Sequence, residues 1–224
     1  MSEGIKIIDV GGVNCYLLEA NDGFVLIDTG FSAKRMFLDE VLKKALNKPG
    51  EEAKKLKLVI LTHGDSDHAG NCKFLSENYG VKIAMHFEDS KMVENGDMSW
   101  NRKSKPDEIA FTFKLFSLAF GKSSIVDTFK PDIYLKDGQD LAEFGLSAKV
   151  IHLPGHSKGS IGVLTNEGAL FCGDLVYNFA GFSYIDNLED YNESIHKLKK
   201  LDISILYPGH GKEISMSYFN KKFV

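Results

Sequence analysis

Leu58-Val59-Ile60-Leu61-Thr62-His63-Gly64-Asp65-Ser66-Asp67-His68-Ala69-Gly70 is the stretch on which the reading of this chain turns. Its apolar opening has the length and branching of a buried strand, and the polar run that follows is a loop leading into a helix. His63, Asp65, Asp67 and His68, all able to bind a cation, are crowded at that strand end. A strand-to-helix turn points alternate side chains into one small volume, which a cation needs to exchange its water shell for protein ligands. Without a cation, the acids here would repel one another with nothing to offset it.

Three more groups of the same kind stand at turns further along. They are His156 in Pro154-Gly155-His156-Ser157, Asp174 in Phe171-Cys172-Gly173-Asp174, and His210 in Tyr207-Pro208-Gly209-His210-Gly211. Each follows a strand-like apolar run and has glycine beside it, so the backbone can turn sharply and present the side chain at a sheet edge. Apolar runs bounded by turn residues recur at 15–19, 24–27, 58–61, 81–85, 148–153, 161–164 and 169–172, and read as strands. Asn21-Asp22-Gly23 and Asn166-Glu167-Gly168 predict two antiparallel hairpins.

Helical spacing appears at 33–47, where Phe37, Leu38, Val41, Leu42, Ala45 and Leu46 share a face. A second helix is predicted over 69–78 with Gly80 as its C′ residue, and a third over 188–201 with Tyr191, Ile195 and Leu198 inward. Strands mixed with helices imply helix-covered sheets in one domain, 1–224. Residues 87–132, with Trp100 and a phenylalanine-rich run, break the rhythm and read as a mostly helical insertion, a lid or a packing element.

A net charge of −4 over 224 residues gives no global basic field, so nucleic acid and membrane surfaces are not expected partners. Cys15, Cys72 and Cys172 are scattered and form no CxxC pair, as in a reducing cytoplasm. The start of the chain lacks the pattern of a signal peptide. Gly121-Lys122-Ser123 has Phe116 where a phosphate-binding loop needs glycine, so nucleotide binding is not expected. His86, His152 and His196 read as structural or solvent-facing, and Phe179, Phe182, Tyr184 and Trp100 as packing groups that could also line a pocket.

The order His63-x-Asp65-x-Asp67-His68, then His156, Asp174 and His210, resembles the metal signature of the metallo-β-lactamase superfamily, His-x-His-x-Asp-His followed by His, Asp and His. Asn14-Cys15-Tyr16-Leu17-Leu18 and Leu26-Ile27-Asp28-Thr29-Gly30 spread the resemblance over most of the chain. It implies an α/β (α+β) fold, a four-layer αββα sandwich of two mixed β-sheets flanked by helices, with metal at one edge. Two divalent ions, zinc first, are implied: His63, position 65 and His156 around one, Asp67, His68 and His210 around the other, and Asp174 bridging. Asp28 is expected to orient a metal-binding histidine, because liganding imidazoles usually donate their other N–H. Tyr177 matches a tyrosine of the superfamily's lactonases and would donate to a developing oxyanion, the alternative being a packing role.

Asp65 departs from the pattern, standing where most members have histidine. If it binds, an anionic oxygen shifts the site's preference from zinc toward iron or manganese; if it falls short, that site weakens and one metal remains. The function implied is a metal-dependent hydrolase acting on a small ester, thioester, lactone, amide or phosphoester through metal-activated water, with Asp67 as an additional proton acceptor. The alternatives are an iron oxidoreductase acting on O₂, NO or a persulfide, for which the chain has no room for a flavodoxin-like domain, and a non-catalytic metal-binding domain. The oligomeric state is left open by the sequence.

Overall fold

The computed structural model describes residues 4–47, 54–110, 127–177 and 183–222. β1 (Ile5–Asp9), β2 (Asn14–Ala20) and β3 (Gly23–Ile27) form an antiparallel meander, turning at Asn21-Asp22. β4 (Lys55–Ile60), β5 (Lys82–His86) and β7 (Ile133–Leu135) then add in parallel, giving the order β1-β2-β3-β4-β5-β7. The second sheet has the order β13-β12-β10-β9-β8, from β8 (Ala148–His152), β9 (Ile161–Thr165), β10 (Ala169–Gly173), β12 (Ile205–Pro208) and β13 (Ile214–Ser215). Its β9–β10 hairpin turns at 166–168, and β10 runs parallel to β12. Both sheets are thus mixed.

Three apolar clusters show the layering. Tyr16, Val25, Ile27 and Ile60 of the first sheet meet Val150, Val163, Phe171 and Tyr207 of the second in the central layer. On the outer face of the first sheet lie α1 (Arg35–Leu46) and α3 (Cys72–Tyr79), through Leu38, Leu42, Leu46 and Leu75. On the outer face of the second lie α5 (Leu188–Leu198) and α6 (Met216–Lys222), through Ile195, Leu198 and Phe219. This is the four-layer αββα sandwich. Full burial of each such leucine contributes about 1.5–3 kcal/mol, which is why the 3.6-residue pattern of α1 dictates which face turns inward. Phe37, placed on that face by spacing alone, is 47% exposed.

The helix predicted over 69–78 is two helices, α2 (Ser66–Ala69) and α3, broken at Gly70-Asn71. The Asn71 side-chain amide donates to the carbonyls of Thr29 (2.7 Å), Gly30 (3.3 Å) and Phe31 (3.1 Å), so the chain bends to pack on the loop after β3. Gly80 ends α3 in the left-handed conformation, as expected. In the insertion, a 3₁₀ turn at Phe87–Asp89 and α4 (Ser90–Asn95) are followed by turns and by β6 (Glu108–Ile109), which pairs with β11 (Tyr184–Ile185). Residues 111–126, with the phenylalanine run, lie outside the described residues, as do Phe179 and Phe182. Among the described residues, no helix is long and apolar enough to cross a membrane.

Candidate metal centre

All seven residues expected to bind metal converge at one end of the sandwich, each delivered just beyond a strand end. His63 follows β4, His156 follows β8, Asp174 follows β10, His210 follows β12, and Asp67 and His68 lie in the single turn of α2. They fall into three overlapping sets with ligand atoms within 4.8 Å of one another: His63–Asp65–His156, Asp67–His68–His210, and His63–His68–Asp174.

In the second half of the site, His68 Nε2 lies 3.3 Å from Asp174 Oδ1 and 3.7 Å from Asp67 Oδ2. His210 Nε2 lies 3.3 Å from Asp67 Oδ2 and 3.5 Å from Asp174 Oδ2. Ligands about 2.0–2.1 Å from a tetrahedral zinc are about 3.3 Å apart, so these spacings fit a divalent cation. His63 Nε2, His68 Nε2 and Asp174 Oδ1 are buried and make no hydrogen bond, which in a folded interior calls for an unseen partner. The donors are imidazole nitrogens and carboxylate oxygens, a set that suits zinc, iron or manganese.

Each imidazole is held from behind through Nδ1. His68 Nδ1 meets Asp28 Oδ2 at 2.8 Å, His63 Nδ1 meets Thr62 Oγ1 at 3.0 Å, His156 Nδ1 meets the Tyr184 carbonyl at 3.1 Å, and His210 Nδ1 meets the Gly12 carbonyl at 2.7 Å. With Nδ1 donating to a carboxylate or carbonyl, Nε2 of His68, His156 and His210 faces the site and is the nitrogen that would bind a cation once deprotonated. Asp28 also accepts from the Thr62 amide and hydroxyl, each at 2.8 Å, and adopts φ +57°, a conformation rare for a non-glycine residue. It lies behind His68, one of the histidines expected to bind metal.

Burial lowers the His68 and His210 imidazole pKa values, but Asp174 and Asp67 outweigh it: His68 ends well above its usual range and His210 at about 10. Burial likewise opposes ionisation of Asp174, yet His210 and His68 hold its carboxyl well below the usual range. Tyr177 donates from its hydroxyl to Asp174 Oδ2 at 2.9 Å. Burial and Asp174 push its pKa up, so it stays a donor, aimed at the carboxylate.

A seam between distant parts of the chain seats His210. The Asn14 side chain donates to the carbonyls of Pro208 (3.0 Å) and Gly211 (2.7 Å), the Asn14 amide donates to Gly209 (2.8 Å), and the Tyr16 hydroxyl donates to Pro208 (2.5 Å). Gly209 is required by close approach, since a Cβ there would collide with Asp174 Oδ1 and His68 Cε1.

The sequence reading missed two residues. Asp89, buried, accepts from the Gly64 amide (3.2 Å), the Ser157 hydroxyl (2.6 Å) and the Gly159 amide (2.7 Å), tying the His63 and His156 loops together. Arg102 forms an ion-pair fork with Asp65: Nη1 lies 2.9 Å from Oδ1 and Nη2 3.1 Å from Oδ2. Asp65 therefore reaches the site, with Oδ2 at 3.1 Å from His156 Nε2, but its charge is already matched. The one signal was usage: arginine appears twice, at 35 and 102, among 27 basic residues. Trp100 is 44% exposed, whereas the Tyr184 ring packs edge-on to His156. His86 and His152 stack on each other at 4.3 Å, His196 bonds within its own helix, and none of the three belongs to the converging sets.

An αββα sandwich with this ligand order at one end defines a class of metal-binding proteins, and the comparisons agree. A family model described as the metallo-beta-lactamase superfamily matches residues 8–210, and the chain belongs to that superfamily. It is 30% identical to the hydroxyacylglutathione hydrolase GloC of Haemophilus influenzae, over 92% of this chain and 90% of that one. It is 28% identical to a beta-lactamase-like protein 2 homolog of Drosophila melanogaster, over 91% of this chain but 60% of the longer relative. Among solved structures, BLEG-1 B3 metallo-beta-lactamase aligns with a TM-score of 0.74 at 21% identity, covering 97% of this chain and 96% of that one. TTHA1623 in a di-iron-bound form aligns at 0.69 with 24% identity, covering 98% and 99%.

Proposed function

We propose that this chain is a metal-dependent hydrolase of a small thioester or ester, using divalent metal, zinc first, at the centre described above. The observation that carries this reading is the set of buried ligand atoms His63 Nε2, His68 Nε2 and Asp174 Oδ1, without hydrogen-bond partners and within 4.8 Å of one another. A bound divalent cation supplies Lewis acidity there, polarising an oxygen and making water acidic enough to ionise near neutral pH. The thioester preference is supported by the name of one relative, hydroxyacylglutathione hydrolase.

The chain's own residues do the positioning. Asp28 and the Gly12 carbonyl fix the His68 and His210 rings so that neither must reorganise during the reaction. Tyr177 pins Asp174. Asp67 has 22% of its side chain exposed against 6% for Asp174, and is the carboxylate placed to take a proton from an attacking water. The water oxygen bonds to the carbonyl carbon, the C–S or C–O bond breaks, and the thiol or alcohol departs with a proton.

The test is turnover of acyl-thioesters, esters and lactones by apoprotein before and after addition of Zn²⁺, Mn²⁺ or Fe²⁺. At least one substrate is expected to show metal-dependent turnover. No rate above the metal-free control on any of them would overturn the reading.

A further inference from the structure

The two halves of the centre are not equivalent. Among the described residues no lysine or arginine pairs with Asp67, His68, Asp174 or His210, and His68 Nε2 and Asp174 Oδ1 have no hydrogen-bond partner; His63 Nε2, between the two sides, has none either. On the other side a cation is already in place. The Arg102 side chain is only 10% exposed. Its guanidinium forks onto Asp65, its Nη2 lies 3.3 Å from His156 Nε2, its Nη1 donates to the Met98 carbonyl at 3.3 Å, and its plane sits over the Tyr184 ring at 5.1 Å.

His156 Nδ1 donates to the Tyr184 carbonyl, and its Nε2 sits against both Arg102 Nη2 (3.3 Å) and Asp65 Oδ2 (3.1 Å), where a neutral ring accepts from the guanidinium N–H. Two of the three side chains that would bind an ion there are thus engaged by one buried cation that does not lose its proton. Lysine, the basic residue used nearly everywhere else in this chain, could not span both Asp65 oxygens and His156 as a planar fork can. The carboxylate at 65 is short enough to leave room for the guanidinium and carries the charge that retains it.

We propose that Arg102 takes the place of the first metal ion, so that this chain binds a single divalent cation, held by Asp67, His68, Asp174 and His210. The positive charge that a second ion would bring to the His63–Asp65–His156 side is supplied by the protein itself. Arg102 is in this sense a positioning residue, fixed by Asp65 and Tyr184. The inference rests on the metal-binding part of the proposed function and says nothing about which substrate is cleaved.

The experiment is calorimetric titration of full-length, metal-free protein with Zn²⁺ alone, with elemental analysis after gel filtration. One equivalent per chain is expected for the wild type. Arg102→Gln, which removes the cation, is expected to bind two, and Asp67→Ala/His210→Ala to lose the single equivalent. Arg102→Met, which keeps bulk over Tyr184, is run in parallel with far-ultraviolet circular dichroism on every variant, so a folding failure in one does not remove the test. Two equivalents on the wild type, one on folded Arg102 variants, or retention of the ion by the folded double variant would each overturn the proposal. A wild type that binds one ion yet hydrolyses nothing sinks the functional reading alone, whereas one that hydrolyses with two ions sinks this inference alone.

Discussion

Asp28 shows how much of the centre depends on a residue that would not touch the metal. It sits at φ +57°, accepts from Thr62 twice and from His68 once, and is almost fully buried. Asn tolerates the same backbone region, so Asp28→Asn changes the charge and acceptor capacity while sparing the loop. Metal affinity is expected to fall about 10–100-fold, read by competition with a chromophoric chelator. An unchanged affinity would show that the His68 ring needs no such partner. The histidines also set a pH dependence. In metal-free protein His210 is raised from about 6.5 to about 10, so its contribution to stability is fully present below its unfolded pKa and is lost as pH rises through about 10. A cation needs the same nitrogen deprotonated, so metal affinity runs the other way and rises over that window, with protons released on binding. Melting in chelator and titration in buffers of different ionisation enthalpy between pH 7 and 10 should show the two opposed trends. The seven residues expected to bind metal were legible in the sequence because four of them crowd one strand end and the other three each sit in a turn beside glycine. Arg102 was not, because it lies in a polar segment with no periodicity and meets Asp65 only through the fold.

Among the elements, the hairpins and the long helix α1 follow directly from turn chemistry and apolar spacing, whereas the α2–α3 break does not. That break depends on Asn71 reaching three carbonyls after β3, a contact with no local signature. The short β7 and β13 were equally hidden, being too brief for alternation to register. Gly209, just after β12, illustrates how strand placement and site are joined. It donates to the Gly173 carbonyl at 2.7 Å, bringing the β10 and β12 ends within reach of each other. Gly209→Ala is expected to abolish tight metal binding, because the new methyl group would occupy the space between Asp174 and His68. Elemental analysis of the folded variant is the check, and a full complement of metal would contradict the packing argument.

On the scale of the molecule, both sheets contribute to one centre, so a bound ion links layers as well as side chains. An ion present at about 100 times its dissociation constant stabilises the native state by about 2.7 kcal/mol. For a chain of this size that corresponds to a rise of about 5–10 °C in Tm, lost on adding a chelator. No shift between loaded and stripped protein would mean that the ion binds folded and unfolded chains alike. The αββα layering was legible through the family resemblance, since periodicity alone predicts covered sheets but not which strands pair with partners distant in the chain, as β5 does with β7 and β10 with β12. The seam that joins Gly12, Asn14 and Tyr16 to the Pro208–Gly211 turn has a consequence for biosynthesis. A nascent chain cannot complete the Asp67–His68–Asp174–His210 set until residue 210 has cleared the ribosome and met a segment translated about 200 residues before it. Capture of an ion by that set therefore waits for the two sheets to meet and is not a property of an emerging hairpin.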